Sequence, residues 1–185
     1  MNKSPRQHLS ELLYNGRALP LYLFKLSFQH TLFFDDIINS SDELVLAVRD
    51  IVYQHHLTSE FYIFSCSNVE LYSSVDEGKS WVYGVRKFDD YLKANEDYSG
   101  MILLSKNNDW VLYQENPVRM GVFCFNSKIT DFTFDDSFFF DGKLINNWLC
   151  GKTQRDLDMI SAFGRNYLEL LLENYVSKVY VPTIR

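Results

Sequence analysis

A chain of 185 residues with 46% hydrophobic and 23% charged side chains has the composition of a folded globular protein, which excludes wholesale disorder and fits one domain. No stretch approaches the roughly 18 uninterrupted apolar residues of a membrane span, and no secretory apolar run follows the polar start Met1–Arg6, so a cytoplasmic protein is expected. The formal net charge of −6 disfavours nucleic-acid phosphates as a partner and favours a basic protein.

Ser4, Pro5 and Gln7 form a helix-start signature of cap, first-turn proline and capping-box residue, and predict a short helix ending near Asn15-Gly16. Leu21 to Phe28, with Lys25 and Ser27 two apart, reads as a strand, whereas 30–38 is ambiguous. Ser41 can cap a helix over 41–57, where Leu44, Ala47, Val48, Ile51 and Val52 recur at three- and four-residue steps and His55 continues the stripe. Phe61–Ser65 has strand composition, 73–80 is a polar loop, and Trp81–Val85 reads as a strand. Phe88, Tyr91 and Leu92 share a helical face that Asn95 would close.

From Gly100 the pattern becomes apolar stretches between turn residues: Met101–Leu104, Trp110–Gln114, Met120–Phe125 and Ile129–Phe134, an antiparallel meander. Leu144–Leu149 has no clear period. Thr153 then caps a predicted long helix over 153–176, with Leu157, Ile160, Tyr167, Leu168, Leu171, Leu172 and Tyr175 on one face. Gly164 lies on that same stripe, where close helix-on-sheet packing would account for it. Val179–Pro182 can add a terminal edge strand. The fold class predicted is α+β: a mainly antiparallel sheet of five or six strands packed against the 41–57 and 153–176 helices.

Motifs for chemistry are weak. Gly151-Lys152-Thr153 stands where a phosphate loop would place these residues, yet the loop's first glycine is replaced by Asn146, and the bulky 147–150 stretch cannot wrap phosphate with its amides. Adjacent His55 and His56 point about 100° apart on a helix and cannot both ligate a metal, so one ring is expected to pack at the helix end while the other faces water. Cys66, Cys124 and Cys150 are odd in number, sit among apolar or aromatic neighbours, and read as buried free thiols without the basic neighbours that activate a nucleophile. No enzyme, no cofactor and no metal site is expected.

Phe-Asp-Asp occurs at 34–36, 88–90 and 134–136, with no shared flanks to make it a repeat. The middle of the chain, 61–150, holds thirteen acids against eight bases. Within it, 131–141 carries four aspartates and no base, interleaved with five phenylalanines, too many of both kinds for all to be hidden. If that stretch is a strand, Asp131, Thr133 and Asp135 share one face and Phe132 and Phe134 the other. Acidic residues beside protruding rings, for which Tyr72, Trp81, Tyr98, Trp110 and Tyr113 are candidates, have the makeup of a protein-binding hot spot steered towards a cationic partner. The partner-binding candidates are Asp89, Asp90, Trp110, Tyr113, Asp131, Asp135, Asp136 and Asp141. In size, acidity and α+β pattern the chain resembles in type the immunity proteins that neutralise bacterial nuclease toxins, whose acidic surface covers a basic active-site cleft. That resemblance implies a toxin-blocking role without assigning any inhibitory residue. A small enzyme or ligand-binding domain, marked by a deep pocket where His or Cys meets carboxylates, and a structural subunit of a homo-oligomer stay open as alternatives.

Overall fold

The computed structural model describes residues 4–117, 120–129 and 132–176. Helix α1 spans Pro5–Leu12, and its capping box is complete: the Ser4 hydroxyl accepts the Gln7 amide while the Gln7 side chain accepts the Ser4 amide. Strand β1 (His30–Phe34) leads to helix α2 (Asp42–Gln54), whose first turn is capped by Ser41 and carries Asp42 and Glu43. Strands β2 (Phe61–Ser65) and β3 (Tyr72–Val75) precede helix α3 (Trp81–Ala94). Strands β4 (Gly100–Ser105), β5 (Trp110–Glu115) and β6 (Gly121–Phe125) form the meander that the turn residues predict. Helices α4 (Gly142–Leu149), α5 (Gln154–Phe163) and α6 (Arg165–Leu171) follow, with a π-helical turn over Leu172–Val176.

The six strands form one antiparallel sheet in the order β1-β6-β5-β4-β2-β3. A single cross-strand row runs Leu32, Phe123, Leu112, Leu103, Ile63, Ser73. Alternate residues of each strand face opposite sides. Leu32, Phe61, Leu103, Trp110, Leu112 and Phe123 pack under α2 and α3, while Phe33, Phe64, Leu104, Val111, Val122 and Cys124 pack under α1, the 19–28 segment, α4 and α6. Burial on both faces explains why β4 to β6 read as unbroken apolar runs instead of alternating with polar residues. Gly121 pairs with Phe34, and a Cβ there would overlap the Phe34 ring, so glycine lets that ring lie on the strand. No helix among the described residues is long and apolar enough to cross a membrane.

Several expectations are corrected. Residues 21–28 are irregular: they are tied by a bridge between Leu13 and Phe24, with the Tyr14 amide donating to the Leu23 carbonyl and the Lys25 amide to the Leu12 carbonyl, so their backbone bonds go to the end of α1 and not to a sheet strand. Trp81–Val85 is the first turn of α3, because Ser80 caps Tyr83 and Trp81, Val85, Phe88 and Leu92 recur with helical spacing on the buried side. The polar stretch 73–80 gives its first residues to β3. Residues 132–134 and Ile129 join no strand, and Thr130 and Asp131 lie outside the described residues, as does the expected strand at 179–182.

The expected 153–176 helix begins at its Thr153 cap but breaks at Gly164, which takes φ 88° and ψ 131° between α5 and α6. Nothing lies within 4 Å of where its Cβ would be, so the glycine serves the backbone turn and not close packing. Leu157 is exposed and α5 buries no residue. Of the three free thiols, Cys124 is buried and Cys66 half-buried, but Cys150 is exposed.

Candidate functional site

Helix α2 buries Leu44, Val45, Val48, Ile51 and Val52 against the sheet. Its apolar surface is wider than that stripe, and Leu46 and Ala47 are only half-buried on the flank. Beside that flank runs the 132–138 segment. Its shape is set by Asp135, whose carboxylate accepts the Ser137 amide at 3.0 Å and the Ser137 hydroxyl, while the Asp135 carbonyl accepts the amides of Phe138 and Phe139 at 3.2 and 3.0 Å. The turn directs Phe139 fully into the core and leaves Phe134 and Phe138 half-buried at its edge. Between the two elements lies an open groove of about 340 Å³, lined by Glu43, Leu46, Ala47, Asp50, Ile51 and Gln54 on one side and by Thr133, Phe134, Asp135 and Phe138 on the other.

The groove has an apolar floor and an acidic rim, with no base among the described residues that line it. Asp50 is partly neutralised by Arg49, whose Nε and Nη2 donate to the same carboxylate oxygen at 3.0 and 2.8 Å. Asp135 is exposed, and its hydrogen bonds from Ser137 hold its carboxyl below the usual carboxylate range, so it stays ionised. Asp42, one residue before Glu43, is bound by Arg86 at 2.7 Å. Glu43 and Asp135 are therefore the rim charges most open to a new cation.

The candidates chosen from sequence scatter. Asp135 lines the groove, exposed Asp136 follows it in the chain, and Asp131 lies outside the described residues. Asp90 is exposed on α3. Asp89 is buried, with Asn39 donating to one oxygen at 2.6 Å and Lys93 to the other. Asp141 caps α4 by accepting the Leu144 amide at 2.9 Å.

Trp110 and Tyr113 are corrections, because neither ring is exposed. Trp110 is wholly buried, stacks on Trp81 at 5.4 Å and donates its indole N–H to the Thr58 carbonyl at 2.7 Å. Tyr113 is buried on the opposite face and donates its hydroxyl to Glu115 at 2.9 Å; burial, first, pushes its phenol far up. A central strand covered on both faces hides rings that composition alone places outside. Trp81 is buried too, while Tyr72 and Tyr98 are exposed as expected, together with Tyr53, Tyr83 and Tyr91. Sequence reasoning missed Glu43, Leu46 and Asp50, although Leu46 beside the Leu44–Val52 stripe signals a helix apolar beyond the face that its sheet needs.

A second cleft, about 420 Å³, opens beneath α1 between Arg6, Leu13, Arg17, Cys66, Ile102 and Tyr113. Its polar groups are engaged internally: Arg6 pairs with Glu70, and Arg17 lies 3.9 Å over the Tyr14 ring and donates to the Tyr22 carbonyl. Burial, then Glu115 and Asp97, push the Cys66 thiol well up, which opposes the thiolate a nucleophile needs. At Gly151-Lys152-Thr153 the amides of Lys152 and Thr153 are taken by the Asp156 carboxylate at 3.0 and 2.9 Å, so the chain's own anion occupies the start of α5. No family model matches the chain, and no curated protein and no solved structure matches it.

Proposed function

We propose that this protein is a binding module that docks a basic segment of another protein in the groove between α2 and residues 132–138, in the manner of an immunity-type inhibitor. One observation carries the reading: Glu43, Asp50 and Asp135 rim an aromatic and aliphatic floor to which no lysine or arginine among the described residues contributes. A volume of about 340 Å³ suits two or three side chains. The matching partner presents apolar side chains between lysines or arginines, as an amphipathic basic helix or loop does. The floor would supply the buried anchor, and the rim charge would supply orientation and association rate.

The test is capture from native cell lysate on immobilised wild-type protein and on the Glu43→Lys/Asp135→Lys variant, across a salt series. The expected outcome is a basic protein retained by wild type at low salt, released as salt rises, and absent from the double variant. Asp90→Lys/Glu77→Lys, two exposed acids that do not line the groove, makes the same change in net charge and is expected to retain the partner. Equal retention by the double variant would remove the groove from the account.

A further inference from the structure

Two histidines stand behind the aromatic wall of this groove. His30 opens β1 and His55 caps the C-terminus of α2, with ring centroids 6.1 Å apart. Both hold Ser127, just past β6: His55 Nδ1 is 2.7 Å from the Ser127 hydroxyl and His30 Nε2 is 3.3 Å from the Ser127 carbonyl. Phe125 stacks on His30 at 4.9 Å and meets His55 edge-on at 5.0 Å. Phe132 stands edge-on to both imidazoles, at 5.2 and 4.7 Å, and lies 6.0 Å from Phe134 in the groove wall. His55 is 5% exposed, and its Nε2 is buried without a hydrogen-bond partner.

We propose that His55, packed beside His30, is a proton-operated latch on the groove: neutral, it clamps Phe132 and with it the 132–138 wall, and on gaining a proton in mildly acidic solution it lets that wall go. An imidazolium needs both nitrogens to donate, but Nε2 of His55 is buried with no acceptor among the described residues in hydrogen-bond contact. Around it stand His30 from β1, His56 next in the chain, Ser127 and Phe125 from the β6 side, and Phe132. Among the described residues the titratable groups acting on His55 are His30 and His56, both of which repel a proton, with no carboxylate to offset them. Burial first, then His30 and His56, accordingly hold His55 below the ordinary histidine range.

The sign of the linkage follows. A histidine depressed in the latched state stabilises that state fully above the free-imidazole value of about 6.5, and the contribution falls away as pH drops. The part that yields is the one with the weakest attachment. β1 and β6 are joined by a five-residue ladder, whereas among the described residues 132–138 is held by ring contacts and one turn until Phe140 pairs with Phe33. Moving Phe132 brings water to Nε2 without breaking the sheet.

Loss of docking in acid rests on the functional reading above; the latch itself does not, so the test uses the free protein. Amide hydrogen exchange, corrected for its intrinsic pH dependence, is followed between about pH 7.5 and pH 5 together with the His55 ring-proton shift. The expected result is about a tenfold or greater gain in exchange over residues 132–140 at the acid end, with β4 and β5 unchanged and a midpoint shared with His55 titration below about 6.5. His55→Gln keeps a hydrogen-bonding side chain for Ser127 but cannot ionise, and is expected to abolish the step. Should that variant not fold, the wild-type curves decide: His55 titrating with no change in exchange overturns the latch, as does an undiminished step in His55→Gln. An intact step alongside pH-independent partner retention upholds the latch and counts against the docking reading alone.

Discussion

Replacing Gly164 by alanine tests the break in the C-terminal helices, because the two readings of this position predict opposite signs. In one continuous helix the substitution removes a poor helix former and stabilises the protein by about 1 kcal/mol. In the structure Gly164 has φ 88° and ψ 131°, a region closed to L side chains without strain, and holding alanine there costs about 1–3 kcal/mol. No atom lies within 4 Å of the added Cβ, so neither a clash nor a new contact alters that balance. The Gly164 amide makes the last helical bond of α5, to the Ile160 carbonyl at 2.8 Å, and its positive φ then turns the chain; straightening it to relieve the strain would pull α6, with buried Leu168 and Leu171, off the sheet. The expected loss is about 2 kcal/mol, read as a lower urea midpoint at unchanged slope and a Tm lower by roughly 4–8 °C. A rise in the midpoint would refute the break and restore a continuous helix.

Two further substitutions separate structural from docking roles among the residues singled out in the sequence. Trp110→Ala empties a site bounded by Trp81, Phe61 and Phe123 and is expected to cost about 3–5 kcal/mol in urea unfolding, whereas a loss below about 0.5 kcal/mol would mean an exposed ring. Asp141→Ala removes the cap of α4 and is expected to cost about 1 kcal/mol by the same measurement while leaving partner capture intact; loss of capture with unchanged stability would return Asp141 to the docking surface.

Local signals in the chain were legible where the physics is local. The Ser4 capping box, the Ser41 and Thr153 caps and the turn-separated runs of β4 to β6 depend on residues within a few positions of each other, and each lies where the pattern puts it. Errors came where a distant partner decides. Trp81–Val85 has strand composition, but Ser80 and the buried side formed with Phe88 and Leu92 carry it into α3. Gly164 was legible as an anomaly in the stripe but not as a break, since a glycine at helix spacing looks the same whether another backbone approaches or the chain turns.

The site divides the same way. The surplus of aspartate and phenylalanine in 131–141 marked a segment that cannot bury all of both, and Asp135 and Phe134 do face a groove. What composition could not supply is the opposite wall. Glu43, Leu46 and Asp50 lie about ninety residues earlier, and only the packing of α2 beside the turn at Asp135 brings them across from Phe134. Other acids are engaged within the fold: Asp89 by Asn39 and Lys93, Asp141 by the start of α4. A carboxylate paired with a cation, as Asp89 is with Lys93, has little field left for a partner, whereas Glu43, with no cation among the described residues lining the groove beside it, retains its own. On the docking reading proposed here, the acidic surplus would act through charges that folding leaves without a cation, of which Glu43 and Asp135 meet apolar surface at the edge of α2.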